Sequence, residues 1–204
     1  MKLIKYITLP ILLLNVMSVL AQPDSIPTSR KNFPERQWTI EPGIGLNAMP
    51  ISDLVLTNVL QWNINKRFSV VSYSSYAYNN VFLREFNFVK TDYNYSLNQK
   101  FGAGISIYSK HSMHTFSLLA GIKYNSYQET LNNPDFEKVS KSVTSLSPDA
   151  GLMYNLKKGR KKYFFSFRMF IPLYPYPIAN SDLWSLDGNM ANITLEFGVG
   201  IRLK

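Results

Sequence analysis

At 204 residues the chain has room for one domain with short tails, and none for a second globular unit. Charged residues make up 17%, against roughly 25% in ordinary soluble domains, while aromatics reach 14%, a balance that suits a lipid-facing surface better than a water-facing one. The lack of cysteine excludes a disulfide framework, thiolate metal sites, a thiol nucleophile and a lipidated N-terminal Cys.

Residues 1–21 have the three parts of a secretory signal. Lys2 and Lys5 stand at the front, an apolar stretch runs from Ile7 to Leu14 and on to Leu20, and Val19 and Ala21 occupy the minus-3 and minus-1 positions of a cut before Gln22. Pro10 and Asn15 interrupt the apolar run, which is shorter than the roughly 20 residues a spanning helix needs. Cleavage would leave 20 basic against 13 acidic residues, a net +7, for which an anionic membrane surface is a simpler partner than nucleic acid. Residues 22–36, polar and containing three prolines, are expected to form a flexible periplasmic tail.

From Gln37 onward the dominant period is two, so alternate side chains lie on opposite faces of strands. In the first run Trp38, Ile40, Pro42, Ile44, Leu46 and Ala48 oppose Thr39, Glu41, Gly43, Gly45 and Asn47. The next three runs, 53–64, 68–78 and 85–97, alternate less cleanly, because Asn58, Ser72 and Ser74 fall on the apolar side. Clean alternation resumes over 101–107 and continues at about 115–127, 146–156 and 163–173. In the last run seven apolar residues from Ala191 to Leu203 oppose Asn192, Thr194, Glu196, Gly198, Gly200 and Arg202. Short turns are expected at Asn65-Lys66-Arg67, at Asn98-Gln99-Lys100 and over Lys157 to Lys162, with long connections over 128–142 and 174–189.

Eight of the ten glycines share the polar face, and the other two, Gly159 and Gly188, fall in connections. Glycine on the wet side of a soluble sheet weakens each strand, whereas inside a narrow barrel it makes room for long side chains from opposite strands. Aromatics gather at the ends of runs, with Trp38, Trp62, Phe68, Tyr95, Phe101, Tyr154 and Tyr163 forming a candidate girdle.

On this pattern, over about 37–203, the sequence resembles the small bacterial outer-membrane β-barrel families, which combine a signal peptide with eight or so amphipathic strands. The resemblance implies an all-β, antiparallel up-and-down transmembrane barrel over 37–204, with eight to ten strands. The implied partners are outer-membrane lipid, lipopolysaccharide and the barrel-assembly machinery, and no cofactor or metal is implied. Two features depart from the pattern. The chain ends Ile201-Arg202-Leu203-Lys204 rather than on an aromatic, and nine runs are counted where an even number of strands is expected.

The polar face carries Glu41, Lys90, Asp92, Lys123, Asp149, Arg168, Glu196 and Arg202, which would pair inside the barrel as a hydrogen-bonded plug or line a narrow path for a small solute. The only imidazoles, His111 and His114, lie with Ser112 in Ser109-Lys110-His111-Ser112-Met113-His114. A Ser/His pair at the membrane rim would resemble lipid hydrolases, but it also needs an orienting carboxylate and an oxyanion hole. The expected function is therefore non-enzymatic, either a structural or surface-interaction role or a narrow channel. The alternatives are a rim hydrolase and a soluble lipocalin-like carrier with its apolar face turned inward.

Overall fold

Strands with one aliphatic and one polar face must bury one face and expose the other, and here the whole set curls until its two edge strands meet. The computed structural model describes residues 36–48, 54–78, 85–86, 88–109, 112–159, 162–174 and 193–203. The chain divides into two compact units, 1–31 and 32–204, and all described residues belong to the second. The signal peptide over 1–21, nearly all of the 22–36 tail, His111 and most of the 174–189 connection lie outside the described residues.

Among the described residues nine strands follow in order: β1 (Gln37–Ala48), β2 (Leu54–Asn63), β3 (Phe68–Tyr78), β4 (Glu85–Phe86), β5 (Val89–Tyr108), β6 (Ser112–Leu131), β7 (Ser140–Lys158), β8 (Tyr163–Tyr174) and β9 (Ile193–Leu203). β4 is a two-residue bridge folded back on the start of β5. The other eight pair antiparallel with their sequence neighbours, β9 pairs with β1 and β3 with β5, which closes an up-and-down barrel without free edges around its girth. Closure matters because an open edge exposes a row of unpaired backbone donors and acceptors.

The even number of barrel strands settles the odd count from the sequence. Asn98-Gln99-Lys100 is not a turn; it lies in the middle of β5, paired with Ser75, Ser74 and Tyr73 on one side and Lys123, Ile122 and Gly121 on the other. Two expected strands are thus one, and the third short turn is the reversal between Tyr108 and Ser112. The expected loop over 128–142 is also strand at both its ends, since the β6–β7 ladder continues through Gln128↔Ser142 and Thr130↔Ser140. Only 132–139 remain as the connection. There the Asn133 side chain accepts the Asp135 amide at 3.0 Å, as the Asn-Asn-Pro-Asp turn signal implies.

The two ends of the barrel differ. One carries the turn at 64–67 and the short connections from Tyr108 to Ser112 and from Lys158 to Tyr163, together with the start of β1 and the end of β9. At the first of these turns the Asn65 side chain accepts the Arg67 and Phe68 amides at 2.7 and 2.8 Å. At the other end, β5, β6 and β7 reach 20, 20 and 19 residues, while the remaining barrel strands have 10 to 12. The excess lifts a three-stranded sheet by roughly 20 Å above the rim, at ~3.3 Å per residue and a tilt of about 45°.

Candidate functional site

Alternation inverts the usual arrangement of a soluble protein. The outward face carries Phe101, Leu118, Leu152, Phe197 and Val199, each about half exposed, whereas Glu41, Glu196, Arg168, Asn155 and Gln61 are fully buried in the interior. Each inward position follows from strand parity: Thr39, Glu41 and Gly43 on β1, Ser166 and Arg168 on β8, Glu196 and Gly198 on β9.

Arg168 lies at the centre of the buried charge. Its Nε donates to Glu196 Oε2 at 2.8 Å, Nη1 to the Glu41 carbonyl at 2.7 Å and Nη2 to Thr57 Oγ1 at 2.7 Å, so one guanidinium links β1, β2, β8 and β9. The space it fills exists because residue 43 has no side chain, since a Cβ there would collide with Nη2. Tyr73 closes the opposite side of Glu196, donating to Oε1 at 2.6 Å. Glu41 accepts from Thr39 and Asn155, each at 2.8 Å, and forms a close ion pair with Lys157. Lys157 also donates to Gln61 Oε1 at 2.8 Å and to Thr39 at 3.1 Å. Burying ions is tolerable only when each is paired and its remaining hydrogen-bonding capacity is met.

Nearer the long-stranded end, Lys100 pairs with Asp149 at 2.8 Å, and Asn98 donates to the same carboxylate at 2.6 Å. The Lys100 ammonium also sits 3.7 Å from the Phe170 ring centre, a cation–π contact. Phe170 and Tyr73 stack at 5.8 Å and, with Val59, Val71, Leu119 and Met153, form a buried apolar cluster beside the Arg168 network. At the short-turn end Arg202 donates to the Gly159 carbonyl at 2.7 Å and lies over the Phe164 ring.

Of the eight charges expected inside, Glu41, Asp149, Arg168, Glu196 and Arg202 line the interior, and Lys123 is half-buried at its mouth, in register with Asn98 and Ser147. Lys90 and Asp92 do not line it. They form a 3.2 Å pair on the raised part of β5, with side chains 51% and 29% exposed, because that part of the strand lies beyond the closed wall. Sequence reasoning missed Lys100, Lys157 and Tyr73. Parity carried the signal, since Lys157 continues the inward series Ser147, Asp149, Gly151, Asn155, and Lys100 precedes Gly102 and Gly104 on the same face.

The girdle residues separate into rows. Trp38 and Trp62 face each other across β1 and β2 and stack at 5.6 Å, level with Phe68 and Tyr163 at the short-turn end. Tyr154 lies further from that end, four residues before Lys158 closes β7, and packs beside Phe116. Tyr95 belongs to an opposite row, packed against Tyr76, Tyr93 and Tyr124. Phe101 joins neither row; with β5 continuous, it projects from the middle of the wall.

Ser112 and His114 share the outward face of β6, with Ser112 Oγ 3.0 Å from His114 Nε2 and Tyr154 OH 2.8 Å from Nδ1. Both ring nitrogens are therefore held by hydroxyls, and among the described residues no carboxylate bonds to the ring, where one would stabilise an imidazolium. Among the described residues no three metal-ligating side chains cluster.

No protein-family model and no curated protein matches this sequence. Solved structures resemble it in fold. Ail, the attachment invasion locus protein of Yersinia pestis, solved in complex with the heparin analogue sucrose octasulfate, matches with a TM-score of 0.50 at 12% identity, over 83% of this chain and 100% of that one. The N-terminal β-barrel domain of Pseudomonas aeruginosa OprF gives 0.45 at 11% identity, over 83% and 98%. Neisserial surface protein A gives 0.45 at 10% identity, over 82% and 94%.

Proposed function

We propose that this chain is a bacterial outer-membrane β-barrel with a sealed interior, acting as a structural and surface-interaction element rather than as an enzyme or an open channel. The observation that carries this reading is the inside-out distribution of side chains: aliphatic and aromatic groups cover the outer wall while paired ions fill the interior. A lipocalin-like carrier needs the reverse, an apolar cavity inside and a wet exterior.

The dimensions agree with a bilayer. The ends of β3, at Phe68 and Tyr78, lie ~33 Å apart along the strand at ~3.3 Å per residue and ~23 Å apart along the normal at a tilt of about 45°, close to the ~25 Å apolar band of outer-membrane barrels. Tyrosines and tryptophans at both limits then sit at the two lipid–water interfaces. In this orientation the basic short turns face the periplasm, and the raised β5–β7 sheet stands in the medium with Phe136 at its tip 67% exposed. An exposed aromatic on a projecting sheet suits contact with another surface.

A sealed interior predicts silence in a planar bilayer. The reconstituted protein is expected to give no steady conductance above the lipid baseline, whereas an ohmic pore of uniform size would contradict the reading. Fluorescent phospholipid offered to the same preparation is expected to remain intact. Acyl release that disappears in His114→Ala would instead establish a hydrolase.

A further inference from the structure

Midway up an outer wall whose neighbouring strands present aliphatic and aromatic side chains at that level, β2, β3 and β5 present Asn58, Ser72, Ser74 and Gln99 outward. Register brings Asn58 opposite Ser74 and Ser74 opposite Gln99. Ser74 donates to Gln99 Oε1 at 2.6 Å, and Gln99 Nε2 donates to Ser72 at 3.0 Å. The Asn58 amide has no hydrogen-bond partner among the described residues. Asn58, Ser74 and Gln99 lie on the floor of a groove of about 490 Å³, walled by Leu56, Tyr76, Leu97, Ile122 and Leu146.

We infer that this groove is a self-association face which docks a second copy of the chain within the membrane, an inference that rests on the outer-membrane reading above. Depth selects the occupant. Asn58 stands five residues from the lower end of β2 and Ser74 six from that of β3, roughly 12–14 Å up a ~25 Å apolar band. Lipid offers only hydrocarbon at that level, so an exposed amide is costly there unless protein satisfies it. A charged partner is unsuited, because the floor is neutral and equally rich in donors and acceptors. A primary amide is complementary to another copy of itself, and a twofold axis through the groove brings Asn58 of each copy towards the other's amide and hydroxyl groups. The apolar walls then pack against their own counterparts, as polar groups framed by packing do between membrane helices.

The full chain contains no cysteine, so single substitutions report contacts without background. Asn58→Cys, Ser74→Cys and, as a control on the opposite wall, Val199→Cys would each be inserted into phosphatidylcholine vesicles and oxidised at low protein density. The expected result is a disulfide-linked species of twice the monomer mass for Asn58→Cys and Ser74→Cys, with little for Val199→Cys. Asn58→Leu is expected to weaken dimerisation about tenfold, measured by energy transfer between labelled copies on dilution with lipid. Inserted, detergent-extractable protein that crosslinks no more at positions 58 and 74 than at 199, or that captures a different protein at them, would overturn self-association and leave the membrane reading intact. Protein that never enters the vesicles would overturn the membrane reading itself.

Discussion

Arg168 is the residue on which most depends. Its Nε pairs with Glu196 at 2.8 Å, whereas Glu41 is paired with Lys157. Removing one partner of a buried pair strands the other, at a cost of about 3–5 kcal/mol, so Arg168→Met is expected to lower urea-unfolding stability by that order. Adding Glu196→Gln should recover part of the loss, because the stranded charge is then gone. Full additivity of the two single losses would contradict the pairing. Gly159 tests a different constraint: its φ of +127° lies where L side chains are rarely found. Gly159→Ala is expected to cost about 1–3 kcal/mol in the same assay, without altering the Arg168 network. Sequence parity pointed to Glu41, Arg168 and Glu196, since each falls on the polar face of a clean run, shared with glycines for Glu41 and Glu196 and with Ser166 for Arg168. Lys157 was hidden because a cluster of cations resembles a solvated hairpin tip, although its own parity is inward.

At the scale of elements, β5 teaches most about reading such chains. The polar triplet Asn98-Gln99-Lys100 resembles a turn, yet Leu97 and Phe101 on either side keep one parity, as continuous strand requires. Asn98 and Lys100 point into a polar interior and Gln99 into the outward polar patch, so polarity came from two different surroundings rather than from a reversal. The raised end of β5 carries a pH-dependent contact. The Asp92 carboxyl is held below its ordinary value, first by the hydrogen bond from Thr130 at 2.6 Å and then by Lys90, partly offset by burial. A carboxyl held low in the folded state contributes stability above its unfolded pKa and loses it as pH falls through the folded one. Hydrogen exchange at the Lys90–Thr130 ladder is therefore expected to accelerate on acidification below about pH 4, the ordinary Asp range, and Asp92→Asn should remove that dependence while leaving the barrel wall protected. Acceleration spread evenly over the wall would contradict it.

For the whole molecule, closure and inversion are linked. A barrel of eight strands has an interior just wide enough to be filled by side chains, so ions placed inside can meet one another across it, and no free sheet edge remains around the girth. Period two made the fold class legible, but it could not say which face was outside. Glycine placement tipped that choice, and the burial of Arg168 beside Gly43 gives its physical reason. The raised sheet was less legible, because a polar strand standing in water alternates only weakly. The most direct test of inversion uses nitroxide labels on single cysteines. At Leu118, Leu152 and Val199, on the outer wall, relaxation by oxygen is expected to exceed relaxation by a water-soluble nickel chelate, with the order reversed at Phe136. Wall positions that relax more with the nickel chelate than with oxygen would contradict a lipid-facing barrel.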